Sequence, residues 1–212
     1  MKLYYSPGAC SLAPHIALRE ADRMFELERV DLRAHRTASG DDYYAINPKG
    51  YVPALQLDGP DSMVLTENAA ILQYIADLVP ERRLAPGSGT FARYHLQEWL
   101  SFIGGEIHKQ FSPLFAPDTP ALTQERLRSK IGDRFGYVST VLAERDFVMG
   151  EAFTVADCYL FALLRWTERF EIDRTAWPIL ETYFQRVLRR PTVQAALGAE
   201  GLLEAKRVRR SA

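Results

Sequence analysis

Cysteine is scarce in this chain. Cys10 and Cys158 are the only two among 212 residues, too few for a disulfide framework or a cysteine-held metal cluster. An excess of either charge is also missing: 26 Lys and Arg against 27 Asp and Glu leave a net charge of −1. Without a basic field, neither nucleic acid nor an anionic membrane is an expected partner. No apolar run approaches the ~18 residues a membrane span needs. The opening residues hold one lysine, then a strand-like stretch broken by Ser6-Pro7-Gly8, and they lack the apolar core of a secretory leader. There is no internal repeat, no glycine-rich phosphate loop and no Gly-x-Ser-x-Gly turn. No His, Cys or carboxylate pair has metal-ligand spacing, so no metal is expected. These absences favour a globular protein of the reducing cytoplasm.

What is present begins at the first eleven residues. Lys2 to Tyr5 reads as a short strand, and Ser6-Pro7-Gly8 is turn chemistry. Leu12, Ala13, Ile16, Ala17 and Ala21 then follow at the spacing of a helix face. Cys10 therefore sits where a strand hands over to a helix N-terminus. Unpaired N–H groups and the helix dipole favour an anion there, and a thiolate is the reactive form of the residue. A small buried cysteine packing the loop is the other reading of the same position.

Phe25 to Leu32 alternates as a half-buried strand does. Residues 33 to 42 are polar and read as a loop. Tyr43 to Asn47 suits a helical turn, closed by Pro48-Lys49-Gly50. Val52-Pro53 introduces the strand Ala54 to Leu57, where a missing N–H is tolerated and a cis bond is a candidate. A turn over Asp58 to Ser62 and a strand over Met63 to Leu65 complete a hairpin. Glu67-Asn68 opens an apolar-faced helix over Ala69 to Ala76. This βαβ-ββα order predicts an α/β domain over 1–80 with a mixed four-stranded sheet, its parallel pair joined through the helix at 11–22. The Pro- and Gly-rich stretch 81–89 reads as a linker. Helices follow over Phe91–His108, Thr123–Glu144, Thr154–Phe170, Pro178–Leu188 and Thr192–Leu197, an all-α domain over 90–203. The basic tail 204–212 reads as a solvated end.

Thr154-x-x-Asp157 is a capping box, a folding signal rather than a chemical one. Cys158, among Val155, Tyr159, Leu160 and Phe161, reads as core. His108-Lys109 ends a helix. The pair suits either a cationic complement to the dipole or donors lining a cleft beside an anion. His15 and His95 read as structural or exposed.

Four stretches together resemble the cytosolic glutathione transferases: Tyr4 to Pro14, Ile46 to Leu55, Leu65-Thr66-Glu67 and Glu106 to Lys109. The likeness runs from residue 1 to about 203 and is to the bacterial beta class, in particular to members found in biphenyl-degradation clusters. It implies a thioredoxin-like domain over a helical bundle, a homodimer, and glutathione as cosubstrate with a hydrophobic electrophile, aromatic or halogenated. By that likeness Cys10, beside Ala9, faces the glutathione sulfur. The backbone at Tyr51, Val52 and Pro53 pairs with the cysteinyl part, and Glu67 with Asn68 holds the γ-glutamyl end. Ser101, Glu106 and His108 come from the second domain, and Lys109 and Trp166 line the electrophile side. Asn68 stands where the family usually has Ser, and His35 near where beta members often carry a Lys for the glycyl carboxylate. Glutathione-dependent dehalogenation and thiol–disulfide exchange through Cys10 are the alternative activities. A non-enzymatic binding subunit is a third reading.

Overall fold

The structure, a computed structural model, describes residues 1–59 and 63–203. The centre of the expected 58–62 turn and the basic tail lie outside them. The sheet runs β3-β2-β1-β4-β5. Its central strand β1 (Lys2–Tyr5) lies parallel to β2 (Glu26–Asp31), with Leu3 opposite Leu27, and antiparallel to β4 (Ala54–Gln56), with Leu3 opposite Leu55. β5 (Val64–Thr66) closes the hairpin on β4. The fifth strand, β3 (Arg36–Thr37), pairs antiparallel with the edge of β2 and was expected to be loop. Two polar residues carry no alternation to reveal a strand. Side chains hold it instead: Glu28 accepts from the Ser39 N–H at 2.9 Å, and Arg36 donates to the Gly40 carbonyl at 3.1 Å.

The parallel pair is joined through α1 (Leu12–Glu20), which is buried from Leu12 to Leu18. Such a helix needs apolar cover all round. The sheet and α3 (Asn68–Asp77) cover it within the first domain, and two helices of the second domain, α7 (Val155–Leu164) and α10 (Pro191–Ala199), cover the rest. Burying each of Leu12, Ile16 and Leu18 contributes about 1.5–3 kcal/mol. The small turn helix α2 is Tyr43–Ile46, capped by Asp42, whose carboxylate accepts from the Tyr44 N–H at 3.1 Å.

Beyond the first domain, α4 (Phe91–Phe102) does not continue as α-helix to His108. Residues Ile103–His108 form a π-helical turn before the short α5 (Lys109–Phe111). Gly104-Gly105 weakens the helix there, and a π turn widens it. Next come α6 (Ala121–Leu142), then α7, α8 (Trp166–Arg169) and α9 (Pro178–Leu188). Polar contacts weld the domains. Glu20 takes both ends of the Arg190 guanidinium at 2.7 and 2.8 Å. Arg93 donates to Gln73 and to the Pro86 carbonyl and pairs with Asp77. In the linker region, the Leu84 carbonyl accepts from the Val155 N–H at 3.0 Å.

Every residue of α7 is buried, and the capping box opens it as the sequence reads. Asp157 accepts from the Thr154 N–H at 2.8 Å and the Thr154 hydroxyl at 3.0 Å. It also accepts from the Val148 N–H and the Tyr183 hydroxyl, each at 3.0 Å. Burial nevertheless pushes its carboxyl up to about 6. Between the unfolded value near 3.9 and about 6, the folded state holds the extra proton. Stability from this residue therefore falls as pH rises through that window and is level above it. Asp157→Ala is expected to cost on the order of 3 kcal/mol or more, because several interior donors lose their acceptor at about 1–3 kcal/mol each. It should also remove the pH slope. Thermal melts from pH 4 to 7 check both; normal melting with lost turnover would give Asp157 a chemical role instead.

Candidate active site

The turn after β1 is built by its own polar groups. The Ser11 hydroxyl accepts from the Ser6 N–H at 3.2 Å and donates to the Ser6 carbonyl at 3.3 Å. Gly8 adopts φ +72°, a conformation that favours glycine. The second domain holds this residue from both ends of its backbone. Its N–H donates to Glu200 at 2.9 Å, and its carbonyl accepts from the Trp166 indole at 2.8 Å. Glu200 also bonds the buried His15 at 2.8 Å, so His15 is structural.

Cys10 follows, 8% exposed. Its thiol donates to the Val52 carbonyl at 3.3 Å. The N–H groups of Cys10 and Ser11 and the Asn68 side chain favour the anion, but burial outweighs them and the thiol is pushed up to about 12. Of the two readings of this position, burial favours the neutral, packed cysteine over a thiolate at the helix N-terminus. The helix end contributes its hydrogen bonds, yet the sulfur is dry, and the nearby Glu67 charge opposes ionisation further.

The Val52-Pro53 bond is cis, as the sequence suggests. The preceding Tyr51 carbonyl is pinned by the Tyr43 hydroxyl at 2.9 Å and the Asn47 amide at 2.6 Å. Ala9 packs beside Val52, while the Tyr51 ring is exposed. Glu67 stands at the head of α3 with φ 72° and ψ 124°, a backbone conformation seldom held by residues other than glycine. Its carboxylate is exposed and paired with Lys49. Asn68 is buried, its side chain favours the anionic form of Cys10, and among the described residues its Oδ1 has no partner.

From the second domain, His108 Nδ1 lies 2.7 Å from the Tyr159 hydroxyl, and its ring meets Trp166 at 5.1 Å. Burial first, and Lys109 second, lower its pKa to about 4, so the ring is neutral at physiological pH. Trp166 in turn packs edge-on with Phe111 and Phe115, at 5.5 and 5.0 Å, and Phe115 remains partly exposed. An apolar wall thus adjoins the polar cluster around the sulfur.

Other predicted residues stand outside this cluster. Lys109 and Ser101 are exposed. Glu106 is exposed and bonded twice to Arg134. His35 packs on Tyr44 at 4.4 Å with its Nδ1 buried and, among the described residues, unpartnered. Gly50 permits that packing, since a Cβ there would lie 2.8 Å from Tyr44. Sequence reasoning missed Tyr159 and Lys49. A tyrosine inside an apolar helix was the available sign, because a buried phenol finds a hydrogen-bond partner.

The family model described as the glutathione S-transferase N-terminal domain matches residues 1–77, and the C-terminal domain model matches residues 102–191. Glutathione S-transferase GstA of Escherichia coli O157:H7 is 47% identical over 95% of this chain and 100% of its own length. The solved ternary complex of BphK, a bacterial transferase, is 53% identical with a TM-score of 0.93, over 95% of this chain and 100% of that one. A sphingomonad glutathione S-transferase complexed with glutathione is 48% identical with a TM-score of 0.92, over 96% and 100%. The buried thiol at the cis-proline loop thus lies on a fold shared, nearly end to end, with these enzymes, and the chain belongs to the glutathione S-transferase family.

Proposed function

We propose that the protein joins the glutathione sulfur to hydrophobic electrophiles, aromatic or halogenated, with a halide leaving where the substrate carries one. The observation that carries this reading is the junction of a sulfur pocket with an aromatic wall. Cys10, Asn68 and Val52 form the first, and Trp166 with Phe115 forms the second. Glutathione is an anionic tripeptide, and the residues present suit it. Glu67 would take the γ-glutamyl ammonium from Lys49, and the first N–H groups of α3 would take its carboxylate. The Val52 backbone would pair with the cysteinyl part, alongside Tyr51 and Pro53. His35, with a free ring nitrogen, would face the glycyl end.

In this reading the nucleophile belongs to glutathione. Cys10 keeps its proton, and His108, neutral, donates to the incoming thiolate and lowers its pKa. Thiol–disulfide exchange is less well supported, because a dry thiol pushed up to about 12 is a poor attacking group. Lys109 and Trp166 would shape the choice of electrophile. The cytoplasm is the proposed compartment. A second copy of the chain is the proposed partner, and the exposed Phe91 and Tyr94 of α4 with Tyr137 of α6 offer it a face.

Four outcomes follow from these roles. Cys10 should resist iodoacetamide at neutral pH in the folded protein and react once unfolded; rapid modification of the native residue would contradict the protonated thiol. Glu67→Ala should lose about 1.5–3 kcal/mol of glutathione binding by calorimetry. Its melting should change little, since an exposed ion pair contributes at most about 1 kcal/mol. His108→Ala should lower turnover about 10–100-fold, the equivalent of one charge-assisted hydrogen bond. Its pH–rate profile should move to higher pH, because the thiol ionises less readily without the donor. Lys109→Ala should instead change the ranking of electrophiles. A profile moved by the Lys109 variant and not by the His108 variant would reverse the two assignments.

A further inference from the structure

Asn68, Tyr159 and His108 come from three separate elements and meet beside Cys10. The Tyr159 hydroxyl lies 2.7 Å from His108 Nδ1, and Tyr159 is buried. The Asn68 side chain is buried at the same place and favours the anionic form of Cys10. Its Oδ1 is buried without a partner among the described residues. A phenol is a better hydrogen donor than a neutral imidazole, and an imidazole nitrogen the better acceptor, so the Tyr159 proton goes to the neighbour within reach, His108 Nδ1. A ring nitrogen that accepts must be the unprotonated one, and the proton of a neutral imidazole is left on Nε2.

We propose that Tyr159 is a positioning residue of this site: it holds His108 in the Nε2–H tautomer, so that the ring offers a donor to the reacting sulfur. The buried Asn68 Oδ1, unpartnered among the described residues, is left as an acceptor for a donor on the bound ligand. The groups that face His108 are Tyr159 and Trp166 from α7 and α8, Lys109 beside it, and Glu67 at the head of α3. Of these only Tyr159 bonds the ring nitrogen. The inference rests on the glutathione reading for its effect on turnover, but not for the tautomer.

The test is nitrogen-15 NMR of the histidines in the full-length protein at neutral pH, with His108 assigned from a His108→Gln spectrum. The expected wild-type result is a proton on Nε2 and a pyridine-like Nδ1. In Tyr159→Phe that preference should collapse to a mixture. Turnover should fall on the order of tenfold, within what a misplaced catalytic group costs, and the pH–rate profile should move to higher pH. A wild-type His108 protonated on Nδ1 overturns the proposal. So does a folded Tyr159→Phe that keeps both the tautomer and the profile. If that variant fails to fold, the wild-type spectrum decides alone. A wild-type protein with the expected tautomer but no turnover with any electrophile would support the network while removing the conjugation reading.

Discussion

The arrangement depends on the backbone of one residue. Gly8 lies in the first domain, yet Glu200 and Trp166 of the second hold its N–H and its carbonyl. These two bonds fix the turn in front of Cys10 and thereby the position of the sulfur relative to His108. Neither domain alone could set that distance. Trp166 serves twice, since the ring that holds Gly8 also packs on His108 and forms part of the apolar wall. In the proposed reading, the glutathione half of the site and its electrophile half are thus joined through a single side chain.

The same closeness determines the protonation of the site. Burial holds the Cys10 thiol and the His108 ring uncharged: at Cys10 it outweighs the hydrogen bonds of the helix N-terminus, and at His108 the Lys109 charge acts in the same direction. An enzyme that binds an anionic tripeptide gains from this, because a bare thiolate of its own would repel the incoming one. The charged groups stand at the rim, where Glu67 and Lys49 pair in solvent.

Much of this was legible in the residues, and the exceptions have physical reasons. Alternation over Phe25 to Leu32, the Ser-Pro-Gly turn and the Val52-Pro53 junction showed the first domain. Thr154 and Asp157 showed how the buried helix begins. The edge strand at Arg36–Thr37 was hidden because two residues held by side-chain bonds have no period. The π turn was hidden because apolar spacing does not resolve a change from one helix type to another. The two readings of Cys10 stayed open because position shows a helix terminus but not how much water reaches the sulfur. Tyr159 was taken for core, which by burial it is; only its neighbours reveal the hydroxyl's task. Glu67 carried no sign of its left-handed φ.

The clamp on Gly8 also has a consequence for how the protein is made. Glu200 follows Gly8 by 192 residues, so the turn that emerges first from the ribosome is fixed last. Until α10 is synthesised, α1 lacks part of its cover and exposes apolar surface in an otherwise finished βαβ unit. Contacts so distant in sequence slow folding, and a half-made chain with a bare helix face is prone to aggregate.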